Sequence, residues 1–196
     1  MNQDPDCCPS SPSGVTVLEC SSSSGSLHLD GLQQEDGQPD SSTYKLTNVN
    51  CESFNKSWVT INECRLKAMS RNRTVFNFNA TFHHPASHII QDYRYFKREN
   101  GYKPWLYRKK IDGCRFLRKP YDALTILIYN AYKPFSNINH TCPFKGDILI
   151  RGMYLTTEIK TLPYPTGEYM VQLNWLFYRK VQFVTNVSFQ FVEDFF

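Results

Sequence analysis

The chain has 196 residues, a formal net charge of +4 and 41% hydrophobic side chains, which suits one domain with a core of its own. The charge is unevenly split: residues 1–43 hold seven Asp and Glu and no Lys, Arg or aromatic residue, whereas residues 44–196 hold all 22 Lys and Arg, every aromatic residue and 11 acids, a net of +11. A Ser/Gly/Pro/Asp-rich tract cannot bury enough surface to offset its ordering entropy, so 1–43 reads as a disordered acidic tail and 44–196 as the folded domain, and no stretch has the ~18 consecutive apolar residues that a membrane-crossing helix requires.

Tyr44–Cys51 alternates polar and apolar residues and reads as a first strand. Ser57–Ile61 and Cys64–Met69 read as two further short strands. Arg73–His83 is the clearest strand: Phe76, Phe78, Ala80 and Phe82 share one face, and Val75, Asn77, Asn79 and Thr81 share the other. Ile89–Phe96 and Tyr102–Ile111 flank a turn at Lys97–Gly101, and Asp112-Gly113 turns the chain into Cys114. Asp122–Tyr132 carries apolar side chains at 123, 124, 127, 128, 131 and 132, a helical stripe with Asp122 as N-cap and Pro134 as stop, although its Ile and Tyr content also permits a strand. Asp147–Arg151 and Tyr154–Lys160 read as strands around a bulge at Gly152, and Glu168–Tyr178 and Lys180–Glu193 alternate after a turn at Tyr164–Gly167. Eight or nine short strands with frequent turn signals predict an all-β, two-sheet sandwich with one short helix.

Four cysteines, Cys51, Cys64, Cys114 and Cys142, lie in the folding part, an even number that suggests two disulfides. Cys51 and Cys64 are thirteen positions apart; a bridge there would contribute about 3 kcal/mol through loop entropy. Five N-glycosylation sequons, at Asn55, Asn72, Asn79, Asn139 and Asn186, join the cysteines in pointing to an oxidising, extracellular or lumenal compartment. Asn79 and Asn186 both fall on the polar face of their strands. Met1–Gly14 lacks the basic, apolar and small-residue order of a secretory leader. The secretory reading therefore expects that the tail stands where a leader belongs, in preference to unconventional entry into the secretory route; the alternative is a cytosolic protein with an acidic extension.

Chemistry is sparse. His83, His84 and His88 form H-H-x-x-x-H, and on a strand the two adjacent imidazoles point to opposite faces, so convergence on one metal is not expected. No nucleophile elbow, phosphate-cradling glycine loop or H-E-x-x-H is present, and Asp92, Asp112 and Asp147 form no acid/base pair. A non-enzyme without cofactor is expected. Lys97, Arg98, Lys103, Arg108, Lys109, Lys110, Arg115, Arg118 and Lys119 make a basic belt interleaved with Tyr102, Trp105 and Tyr107. In a disulfide-bonded, sequon-bearing chain this belt suits an acidic partner, a receptor or anionic headgroups rather than nucleic acid.

Three ordered segments, NGYKPWLYRKKIDGCRFL, NINHTCPFKGDILI and PTGEYMVQLNW, resemble the large insect family of secreted proteins that includes the chemosensory B-type proteins. That family is related to the lipid-recognition group of the ganglioside activator protein and the lipopolysaccharide co-receptor. The resemblance spans about residues 44–194. It implies an immunoglobulin-like sandwich splayed around an apolar pocket, binding of a lipid or other hydrophobic molecule without catalysis, and pairing of Cys51 with Cys64 and of Cys114 with Cys142. The expected pocket wall is Phe76, Phe78, Phe82, Trp105, Tyr107, Leu127, Leu173, Trp175, Phe177 and Phe189. A cavity of several hundred Å3 is expected, since ligand pockets run to about 300–1,000 Å3; a packed interior would favour an extracellular interaction or receptor-modulating module.

Overall fold

The computed structural model describes residues 43–71, 73–155 and 164–193. The acidic tail, the sequon at Asn72 and most of the strand expected over Tyr154–Lys160 lie outside the described residues; Tyr154 and Leu155 have no regular structure. Among the described residues eight strands follow in order: β1 Thr43–Ser53, β2 Val59–Ser70, β3 Arg73–Ala86, β4 Ile89–Glu99, β5 Gly101–Asp112, β6 Phe144–Met153, β7 Gly167–Phe177 and β8 Lys180–Val192. Between β5 and β6 lie α1 Gly113–Arg118, α2 Ala123–Tyr132 and a 3-10 turn, Lys133–Phe135.

The strands form two antiparallel sheets, β1-β8-β7-β4-β5 and β2-β3-β6. This is an immunoglobulin-like sandwich in which hairpins β2–β3, β4–β5 and β7–β8 stay within one sheet and the other connections cross between layers. Alternation drives the assembly. Phe76, Phe78, Ala80 and Phe82 of β3 and Phe183, Phe189 and Phe191 of β8 are buried in one continuous core between the sheets.

Residues 57–61 and 64–69 belong mostly to one strand, β2, rather than two. Its pairing with β3 slips between Ile61 and Glu63. That irregularity carries the apolar face from Val59 and Ile61 across to Cys64 and Leu66, and sends the Asn62 amide onto Asn79 Oδ1 (3.2 Å) and Thr81 Oγ1 (2.8 Å). The break in alternation is a bulge, not a turn. The helix α1, read as a turn from sequence, is only six residues long, too short to show a period; Asp112 caps it by accepting from Arg115 N (2.9 Å). Gly152 (φ +66°) sits where the β3–β6 register shifts and donates its N–H to Asn77 Oδ1 at 2.9 Å.

Tyr178 and Arg179 close the β7–β8 hairpin with φ of +50° and +68°. A two-residue turn with both central residues left-handed matches the strand twist but favours Gly or Asn. The Tyr178 ring rests on Trp58 (5.7 Å) and His88 (5.3 Å), so its contacts help offset the strain; Arg179 is exposed. Arg179→Gly is expected to stabilise the protein by about 0.5–1 kcal/mol, measured as a rise in the urea midpoint at unchanged slope.

Candidate ligand cavity

Two bridges form, Cys51–Cys64 and Cys114–Cys142. The first ties β1 to β2, one sheet to the other. The second ties α1, which continues from β5, to the segment that enters β6, so it too links the layers. The side of the sandwich beside β5 and β6 is filled by the connecting segment rather than by direct strand contact, and α2 is its main piece. Leu127, Ile128, Ala131 and Tyr132 of α2 face an interior cavity of about 160 Å3. The other walls are Phe76, Phe78 and Phe82 of β3, the β6 aliphatics Ile148 and Ile150, and Tyr93, Tyr95, Leu173, Trp175, Phe183 and Phe189 of the five-stranded sheet.

Of the ten residues expected at the wall, Phe76, Phe78, Phe82, Leu127, Leu173, Trp175 and Phe189 line this cavity. Three lie elsewhere. Phe177 points inward but is fully buried beyond the cavity, packed on Phe82 (5.0 Å) and Trp58 (6.1 Å). Trp105 and Tyr107 belong to β5, an edge strand whose pairing with β4 slips opposite Arg94 and Phe96. Trp105 packs half-buried on Tyr164 and Tyr169, and Tyr107 stands edge-on to Tyr95 at 5.7 Å. Sequence reading missed Tyr93 and Tyr95. Their parity with Gln91 within Ile89–Phe96 was the available signal, masked by charged and polar neighbours.

The helix wall is anchored at both ends. Asp122, 6% exposed, accepts hydrogen bonds from Thr125 N (3.0 Å), Thr125 Oγ1 (2.7 Å) and Tyr107 OH (3.1 Å), and pairs with Lys109 Nζ. Burial pushes its pKa up, but the hydrogen bonds from Lys109, Thr125 and Tyr107 outweigh it and hold the carboxyl at about 2. Downstream, Tyr129 OH donates to Ile138 O (2.8 Å), and the Asn137 side chain donates to Asp147 O and accepts from Leu149 N on β6.

Among the described residues no Asp, Glu, Lys, Arg or His lines the cavity. Its tyrosines stay neutral: burial pushes the Tyr93, Tyr95, Tyr132 and Tyr164 phenols up. The volume is below the ~300 Å3 at which ligand pockets begin, so the size expected from sequence is not reached. It is close to the ~150 Å3 of a dry apolar cavity that binds benzene.

His83, His84 and His88 are dispersed and exposed: His83 Nε2 meets Thr60 Oγ1 (2.8 Å), His84 packs on Trp58, and His88 on Tyr178. Among the described residues no group of three His, Cys, Asp or Glu is placed to hold a metal. The basic belt runs from the end of β4 along edge strand β5 to α1 and Lys119, and several members are engaged: Arg98 with Glu168 (2.8 Å), Arg108 with Asp92 (3.7 Å), Lys109 with Asp122, and Arg115 over the Tyr121 ring. Charges on an edge strand also discourage another chain from adding a strand there. The sequons differ in setting. Asn139 is exposed in the loop before β6; Asn79 and Asn186 are half-buried on the outer faces of central strands; Asn55 is half-buried and accepts from Ser57 Oγ (2.7 Å).

Residues 91–171 match the family described as "Protein of unknown function (DUF1091)". The matched stretch runs from β4 through β5, both helices and β6 to the first residues of β7, which is the side of the sandwich that α2 closes. No curated protein matches the chain.

Proposed function

We propose that this chain is a secreted, non-catalytic binding protein for a small hydrophobic molecule or lipid, acting outside the cell and of the kind found among insect chemosensory B-type proteins. The observation that carries the reading is the apolar cavity of about 160 Å3 between the sheets, where none of the described lining side chains but the tyrosines can ionise. Each methylene that leaves water for such a space gains about 0.8 kcal/mol before ordering costs. A guest near benzene in size fits as the walls stand; a longer chain needs α2 to yield. Two disulfides suit an oxidising compartment, and among the described sequons the exposed loop asparagine Asn139 is the best-placed acceptor for a glycan.

The test is recombinant secretion followed by native mass spectrometry for a co-purified small molecule, with Leu127→Trp alongside. That side chain is half-buried on α2, and the larger ring is expected to fill the cavity, lowering ligand occupancy at least roughly tenfold while circular dichroism and Tm stay near wild type. The small volume favours a second reading, an extracellular interaction module with a nearly packed interior and the basic belt as its contact surface. A wild-type protein that retains nothing and takes up no apolar probe would establish that rival.

A further inference from the structure

Two of the tyrosines that line the cavity have hydroxyls that no described side chain engages. Tyr95 and Tyr164 both line it and are 4% and 6% exposed. The hydroxyl of a buried tyrosine ordinarily finds a hydrogen-bond partner, and the other polar groups in these walls have theirs. Tyr93 OH donates to Gln91 Oε1 at 3.0 Å, Gln91 also bonds the Tyr132 hydroxyl, and Trp175 Nε1 donates to Thr185 Oγ1 at 3.4 Å. Among the described residues the Tyr95 and Tyr164 hydroxyls have no such partner. Their rings are nevertheless held firmly. Tyr95 packs edge-on against Tyr107, and Tyr164 sits among Trp105 (5.3 Å), Tyr169 (5.0 Å) and Phe189 (5.9 Å). Two fixed, neutral donors in an otherwise apolar space gain from an acceptor brought in by a guest, because a buried polar group left unpaired is costly.

We propose that Tyr95 and Tyr164 form a hydrogen-bonding subsite for one neutral oxygen acceptor, the carbonyl of a ketone, aldehyde or ester, on a small and otherwise apolar ligand. A carboxylate is disfavoured, since no cation among the described residues lines the cavity to balance it. The inference rests on the reading of the cavity as a ligand site.

Acetophenone and α-methylstyrene are close in shape and differ in C=O against C=CH2, so they separate the subsite from the cavity. Calorimetric titration of both into wild type, Tyr95→Phe, Tyr164→Phe and the double variant is expected to show acetophenone weakened roughly tenfold in the double variant, with α-methylstyrene within roughly twofold of wild type. The carbonyl stretch of bound acetophenone should move to lower wavenumber in wild type and return in the double variant, a readout that affinity alone does not fix. If α-methylstyrene binds and the variants leave the ratio and the stretch unchanged, the subsite is wrong and the cavity reading stands. If neither compound binds wild type, both are wrong.

Discussion

Replacing both Cys114 and Cys142 with serine is expected to lower the unfolding free energy by about 3–4 kcal/mol, the loop entropy released when a closed segment of 28 residues is opened. The same change at Cys51 and Cys64, across 13 residues, should cost about 3 kcal/mol. The two losses are close in size and different in consequence. Cys51–Cys64 joins strands that already meet where the sheets close. Cys114–Cys142 fastens both ends of the segment that carries α2, and α2 supplies Leu127, Ile128, Ala131 and Tyr132 to the cavity. Opening the second bridge is therefore expected to weaken retention of an apolar probe at temperatures where the protein is still folded, whereas opening the first leaves retention intact. Urea unfolding and probe titration on the two double-serine variants measure this. Equal effects on probe binding would show that the bridge beside α2 has no special part in forming the cavity.

Most of the sandwich was legible because strand alternation is a local signal. The Phe76–Phe82 row and the β7 and β8 patterns could be read from parity alone, and Asp122 and Pro134 marked the ends of α2. What stayed hidden depended on partners far along the chain. Nothing local distinguishes Asn62 in a bulge from Asn62 in a turn; the difference is made by Asn79 and Thr81 on the neighbouring strand. Phe177 has the right parity for a cavity wall, yet Phe82 and Phe183 close over it, and depth along the sandwich axis leaves no trace in a period of two. Trp105 and Tyr107 belong to the pocket wall expected from sequence. They lie instead on an edge strand with a slipped register, where one turns to Tyr164 and Tyr169 and the other to Asp122. Asp92 shows in the sequence only as a carboxylate without an acid/base partner; it is 3% exposed within β4 and held by Arg94 at 2.9 Å.

Asp122 is where pH should act on the fold. Its carboxyl titrates near 2 in the folded chain, against about 3.9 in the unfolded one. The folded value is depressed, so the ionised carboxylate stabilises the protein; that contribution is complete above about pH 5 and is lost as pH falls toward 2. The shift corresponds to about 2.5 kcal/mol, and because Lys109 is 45% exposed, the part owed to that pair should shrink with added salt. Asp122→Asn keeps an acceptor for the first turn of α2 but gives up the charge, and is expected to cost about 1–2 kcal/mol at pH 7. Asp122→Ala also abandons Thr125 and the Tyr107 hydroxyl and should cost about 3 kcal/mol. The deciding measurement is stability against pH: the difference between wild type and Asp122→Asn should narrow between pH 5 and 2, and a Lys109→Met background should reduce the difference already present at pH 7. A gap that stays constant down to pH 2 would mean that the N-cap acts by shape alone and that the anchor between β5 and α2 is not electrostatic.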